Sequence, residues 1–175
     1  MVFIRQASLP DAGQIAKVHV ESWKSTYKDI VVQEDLNHVL SYEKRKVLWE
    51  TVLKSNSNDK ILYVAESEDQ KIVGFISGGT ERSKKFNYDG EIYAIYILED
   101  YQGMGIGKML LDAFKKEAEE KGHQSILVWV LTANPSKKFY ERFGAKPIEA
   151  DEITIGDGTY EETAYGWENI LSIRE

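Results

Sequence analysis

Two periods of apolar residues alternate along the chain, and the points where one gives way to the other divide it into elements. Phe3 to Ser8, "FIRQAS", reads as a short strand. Ser8 to Asp11 then has the S-x-x-D form of a capping box with proline in the first turn, and Ala12, Ile15, Ala16, His19 and Trp23 follow at helical spacing. Over residues 34–54, Leu36, Val39, Leu40, Val47, Leu48, Thr51 and Val52 make one apolar stripe with Glu43, Lys44 and Lys46 off it, which predicts a second helix. "ILYVAE" (61–66) and "KIVGFIS" (71–77), joined by "SEDQ", give a hairpin signal. A polar loop, 81–90, leads into "EIYAIYIL" (91–98), a β-branched and aromatic run that reads as a central strand. A helix starting near Gly105 is expected to bury Ile106, Met109, Leu110, Ala113 and Phe114 and to stop at Gly122. "SILVWVL" (125–131) reads as another buried strand, and Asn134 before Pro135 predicts a capped helix that ends at Gly144. "DEITI" and "TYEETAYGW" around "GDG" predict a terminal hairpin.

The order β-α-α-β-β-β-α-β-α-β-β has no linker, repeat or low-complexity segment within it. It predicts one mixed α/β domain over 1–175, with the strands at 91–98 and 125–131 parallel across a right-handed helical crossover. A chain of 175 residues with 42% hydrophobic and 29% charged content suits one soluble core. The absence of cysteine excludes disulfides and thiolate metal sites, and His19, His38 and His123 lack ligand spacing, so no metal is expected. A net charge of −7 argues against a general nucleic-acid binder and suits a cationic substrate, although acidity also serves solubility. "MVFIRQASLPDAGQ" has no signal-peptide core, and no apolar run approaches the ~18 residues of a membrane span. The expectation is a cytoplasmic protein without a membrane partner. The terminal hairpin offers an edge through which a homodimer could form.

Gly103, Gly105 and Gly107 stand at alternate positions on the seam between the 91–98 strand and the helix after it. A Walker loop, G-x-x-x-x-G-K-S/T, would need glycine at 102 and a hydroxyl at 109, where the chain has Gln102 and Met109. A G-x-G-x-x-G fingerprint fails at Lys108 or at Leu110. The pattern left is Q-x-x-G-x-G. Amides at a helix start are unsatisfied donors at the positive end of the helix dipole, and glycines clear side chains from them, so a diphosphate can sit there with Lys108 nearby. The plain alternative is a tight strand-to-helix turn.

"YILEDYQGMGIGKMLL", followed at the right distance by "TANPSKKFYERFGAK" and set in this order of elements, resembles the GNAT superfamily of acetyl-coenzyme A dependent N-acetyltransferases over about Ile4 to Trp167. The resemblance implies a mostly antiparallel central sheet with a parallel pair in its middle and flanking helices. It implies that Gln102, Gly103, Met104, Gly105, Ile106, Gly107 and Lys108 hold the diphosphate of acetyl-coenzyme A. By the same resemblance, Ile95 and Ile97 offer backbone N–H groups to the acetyl-bearing arm, and Asn134 contacts that arm through its amide. Ser136 and Ala145 depart from the family's usual alanine and phenylalanine.

An alkyl amine of pKa about 10.4 is neutral in about one molecule in two thousand at pH 7, so acetyl transfer gains from a base. The resemblance implies Glu91 for that role, acting through water; otherwise Glu91 is an ordinary strand-end residue. It implies Tyr140 as the acid for the departing thiolate; otherwise Tyr140 packs beside Phe139 and Phe143. Without cysteine, transfer would be direct, from acetyl-coenzyme A to a small-molecule or peptide amine in a ternary complex. Trp23 and Tyr27, four apart on one helix face, are expected with Tyr88, Tyr93 and Tyr160 to line the acceptor pocket, with core packing as the alternative for the first two. A non-catalytic acyl-coenzyme A sensor and a plain interaction domain are the other function classes carried forward.

Overall fold

A seven-stranded sheet in the order β1-β2-β3-β4-β5-β7-β6 organises the computed structural model, which describes residues 1–174. The strands are β1 Val2–Gln6, β2 Ile61–Ser67, β3 Ile72–Thr80, β4 Gly90–Ile97, β5 Ile126–Leu131, β6 Lys146–Ile155 and β7 Gly158–Trp167. The helices are α1 Ala12–Tyr27, α2 Gln33–Val39, α3 Tyr42–Lys54, α4 Ile106–Glu120 and α5 Lys137–Arg142. Neighbouring strands are antiparallel except β4 and β5, the parallel pair in the middle. No helix among the described residues is long and apolar enough to cross a membrane.

Both faces of the sheet are covered. On one, α4 packs Leu110, Leu111 and Phe114 against Ile76, Ile92, Val128 and Trp167. On the other, Ile15 and Val18 of α1 and Trp49 of α3 meet Leu62, Val64 and Phe75. A third cluster joins Tyr27, Val31 and Leu36 to Leu131 and Ile155, seating the end of α1 and α2 on the far half of the sheet. α1 starts from a short turn in which Asp11 Oδ2 accepts from Ser8 N–H at 2.8 Å, the capping arrangement that the sequence predicts. Arg5 holds the same carboxylate with two bonds, of 2.8 and 2.9 Å.

The expected helix over 34–54 is two helices. Leu40 leaves the helical region (φ −91°, ψ 50°), and the next residue, Ser41, caps α3 with Oγ accepting from Lys44 N–H at 3.3 Å. A serine inside a periodic stretch offered a competing cap, and the cap won. The break turns α3, so Trp49 is buried while Val47 and Leu48 of the expected stripe are 62% and 42% exposed. In α4, Met109 is likewise exposed and Leu111 takes the buried place. β6, at the edge where pairing with a second copy was expected, carries Pro147, Glu149, Asp151 and Glu152. Proline and charge are features that discourage edge pairing.

β4 and β5 pair only at Gly90↔Ile126, Glu91↔Leu127 and Ile92↔Val128. Beyond that, β4 carries one extra residue relative to β3, since Gly78 faces Ile92 and Ser77 faces Ala94. This bulge at Tyr93 bends β4 away from β5. The sheet therefore splits at Ile95–Ile97, and the split is where the site forms.

Candidate active site

A cavity of about 760 Å³ lies in the split, walled by the free edge of β4, the glycine loop, α5 and the second half of α1. Ile95, Ile97, Gln102, Gly103, Gly105, Ile106, Gly107, Lys108, Asn134 and Tyr140 all line it. Leu98 N–H bonds Val73 C=O of β3 at 2.9 Å, so the alternation of the ladder turns the amides of Ile97 and Ile95 the other way, into the gap that β5 has left. Their side chains are half-buried and pack on the α4 face. Gln102 Nε2 donates to Ile97 C=O at 3.1 Å and so fastens the end of the strand to the loop.

The three glycines answer to different constraints. Gly103 and Gly105 have φ of +75° and +81°, with open space where a Cβ would stand. They are required by backbone conformation. Gly107 lies in α4, and a Cβ there would come within 2.9 Å of the Phe139 ring. Its role is the close approach of α5, which the sequence did not reveal. Ile106, Gly107 and Lys108 open α4, so their amides are among those without an intrahelical partner and face the mouth of the cavity. The Lys108 ammonium leans along the helix to Asp112 at 2.7 Å. Met104 has its side chain in solvent, 64% exposed, and only its backbone belongs to the loop.

The expected cap, Asn134, stands in a turn ahead of α5, whose observed N-cap is Ser136; Asn134 is buried, its Oδ1 accepts from Ser136 N–H at 2.9 Å and its Nδ2 donates to the Tyr27 hydroxyl at 3.3 Å. Tyr140 is 5% exposed, packs edge-on against Phe139 and Trp167, and its hydroxyl has no hydrogen bond among the described residues. Burial, and secondarily the neighbouring Tyr27, raise its pKa above the usual tyrosine value, so it is a neutral phenol with a proton to donate. Across the gap, Trp23 Nε1 donates to the Tyr96 hydroxyl at 2.9 Å, and the ring of His19 stacks on Tyr96 at 5.2 Å. Burial pushes the His19 pKa down to about 3, with Arg45 adding to the effect. Trp23 and Tyr27 were expected in an acceptor pocket. The structure packs their rings together at 4.6 Å and buries Tyr27 with Val31 and Leu36, so they brace Tyr96 and Asn134. Tyr160, also expected there, instead donates to Asp35 at 2.6 Å and ties α2 to the terminal hairpin.

Glu91 is 2% exposed. Its Oε1 accepts from Arg82 N–H at 3.0 Å and its Oε2 from the Arg82 guanidinium at 2.7 Å. That guanidinium lies over the Tyr93 ring at 4.0 Å, and Tyr93 donates to Thr80 C=O at 2.5 Å. Both oxygens of the expected base thus have donors, which sequence spacing could not foresee. On the same sheet face, by the pairings Glu91↔Leu127 and Leu131↔Glu162, stands Glu162, half-buried and without a hydrogen bond or ion pair among the described residues. Burial first, then Asp151 and Glu91, push its carboxyl pKa up against the pull of Arg82. Nothing in the sequence distinguished Arg82 or Glu162. Tyr96 could have been found, since it is the alternate position between Ile95 and Ile97.

The chain resembles known proteins over most of its length. A model of the acetyltransferase (GNAT) family matches residues 20–145. An uncharacterised N-acetyltransferase of Bacillus subtilis is 37% identical over 174 residues, covering 99% of this chain and 97% of its own length. A spermidine N(1)-acetyltransferase of Thermoplasma acidophilum is 30% identical over 151 residues, 85% of this chain and 90% of its own. A crystal structure of an N-acetyltransferase from Thermoplasma acidophilum in complex with coenzyme A superimposes with a TM-score of 0.78 at 26% identity, covering 95% of this chain and 99% of that one. With the split sheet, the glycine loop and the sequence matches in accord, the chain belongs to the GNAT family and is an N-acetyltransferase.

Proposed function

We propose that the protein transfers an acetyl group from acetyl-coenzyme A to a primary amine of a small molecule or peptide, by direct attack in a ternary complex. The observation that carries this reading is the split itself. Unpaired amides of Ile95 and Ile97 face a gap that has helix-start amides at one end and a buried neutral phenol inside. The amides of residues 103–108 hold the diphosphate. The N–H of Ile95 or Ile97 donates to the thioester carbonyl oxygen as it gains charge, an oxyanion-type contribution. The amine nitrogen bonds to that carbon, the carbon–sulfur bond breaks, and the proton that the nitrogen sheds passes through water to the departing thiolate, leaving amide and free thiol. Tyr140 donates to the departing sulfur. A thiol has a pKa of about 8.5, below that of the phenol, so Tyr140 acts chiefly by a hydrogen bond to the developing thiolate.

Glu91 enters this reading through Arg82. Its charge is spent on the guanidinium, and a base role requires that pair to open to a water. This supports the second reading, an acyl-coenzyme A-binding module without turnover, because a committed carboxylate leaves the amine without an obvious base. A cationic acceptor is favoured by the net charge of −7 and by the Glu162 carboxyl, which has no ion-pair partner among the described residues, near that face. The Thermoplasma relative is named for spermidine, and a Haemophilus influenzae relative, 30% identical over 119 residues, for the alanine of ribosomal protein bS18. Polyamines and peptide N-termini therefore head the acceptor panel.

The test mixes protein, acetyl-coenzyme A and polyamines, amino acids, aminoglycosides or peptides, and follows free thiol. Release with at least one acceptor is expected. Binding of acetyl-coenzyme A without release across the panel would replace this reading with the second.

A further inference from the structure

We propose that Ser22 is a ligand-binding residue whose hydroxyl donates to a carbonyl oxygen at the thioester end of the cofactor's arm. The proposal rests on the acetyl-coenzyme A reading above. Ser22 lies in the second half of α1, 1% exposed, and its Oγ has no hydrogen-bond partner among the described residues. It also lines the cavity.

A buried hydroxyl in mid-helix ordinarily donates back to a carbonyl of the preceding turn. Ser25, on the wall of the same cavity, does so, bonding Ser22 C=O at 3.2 Å. Ser22 makes no such bond, and an unpaired buried hydroxyl is costly to keep. The surrounding helix is held firmly. His19 stacks on Tyr96, Trp23 donates to the Tyr96 hydroxyl, and the Tyr27 hydroxyl accepts from Asn134. These three residues repeat every four positions and pin one side of α1 over the free edge of β4. Ser22, next to Trp23, lines the same cavity as Ile95 and Ile97.

The glycine loop follows Ile97, so the diphosphate end of the cavity is the end away from Ile95. An arm that runs back along the edge brings its thioester end between Ile95 and Asn134. A carbonyl oxygen has two lone pairs. One can take a β4 amide; the Ser22 hydroxyl is placed for the other, from the α1 side.

Calorimetry with acetyl-coenzyme A and with coenzyme A, on wild type and Ser22→Ala, tests this, together with the melting temperature of each protein without ligand. Alanine keeps the helix and removes the unpaired oxygen, so the ligand-free melting temperature of Ser22→Ala should match or exceed wild type. Acetyl-coenzyme A should bind the variant about three- to tenfold more weakly, the worth of one hydrogen bond. A loss confined to acetyl-coenzyme A assigns the oxygen to the thioester; an equal loss with coenzyme A assigns it to the last amide of the arm. Wild-type affinity for both ligands in Ser22→Ala would overturn the proposal and leave the cofactor reading intact. A fall in the ligand-free melting temperature would also overturn it, by showing that the fold already uses the hydroxyl. Failure of the wild type to bind acetyl-coenzyme A would end both.

Discussion

At the scale of single residues, the site depends on what burial does to two titratable rings. Tyr140 is a phenol without a partner among the described residues, so Tyr140→Phe removes a donor and leaves the packing. The expected outcome is a turnover about a hundredfold lower with affinity for acetyl-coenzyme A within about twofold, measured by thiol release and calorimetry. Equal losses in both would contradict a hydrogen bond from Tyr140 made to the departing sulfur in the transition state. Since its pKa is raised above the usual value of about 10, ionisation of Tyr140 should not limit activity anywhere below that pH. His19 works on stability. Its pKa is about 3 when folded against 6.5 as the ordinary value, so the folded state resists its protonation. The stability that a neutral His19 allows is present above pH 6.5 and is lost as pH falls toward 3, with a slope approaching ~1.4 kcal/mol per pH unit. Urea melts between pH 7 and pH 5 should show that slope in wild type and less of it in His19→Gln. Identical slopes would mean that His19 is protonated without cost. Neither effect was legible in the sequence. Tyr140 could be placed by its distance from Asn134, but its ionisation depends on what surrounds it.

Among the elements, the loop between β4 and α4 was the most legible and also the most instructive. Three alternating glycines announced a special backbone, and two of them do occupy the left-handed region. The third is a contact between helices, because Phe139 fills the space a Cβ would need. Substitutions should separate these causes by melting temperature. Gly105→Ala forces a side chain into a left-handed backbone at a cost of about 1–2 kcal/mol, and Gly105→Asn should lose less because asparagine tolerates that region. Gly107→Ala should cost about 1–3 kcal/mol through crowding of Phe139, and Gly107→Asn, being larger, should lose more. If asparagine behaved alike at both positions, the distinction would fail. The α2–α3 break was hidden for the opposite reason. Periodicity runs through Ser41, and a cap is chosen only when the chain beyond it has somewhere to pack.

For the whole molecule, the consequence of the site is linkage between ligand and fold. A ligand that binds only the folded chain at a hundred times its Kd adds about 2.7 kcal/mol. For a chain of this size that raises the melting temperature by about 5–10 °C. A scan with excess acetyl-coenzyme A should show such a rise, and the absence of any shift would contradict the cofactor reading. The layered arrangement behind this was readable from the order of elements, including the parallel pair at the centre. The surroundings of Glu91 were not. They are assembled from the 81–89 loop, the bulge at Tyr93 and β7, which meet only in three dimensions. Arg82 took hold of Glu91, and Glu162 was left without a partner among the described residues.

The sequence alone determined the periods of its apolar residues, the glycine seam, the Asn134–Pro135 turn that leads into α5 and, through them, the family. These are local properties, set by backbone dihedrals and by side chains a turn or a strand apart. Tertiary structure decided which carboxylate is engaged, why Gly107 must lack a side chain, and that Trp23 and Tyr27 brace the site from behind. Each of these depends on distances between residues far apart in the chain, and on water excluded by the packing between them, which no local pattern encodes.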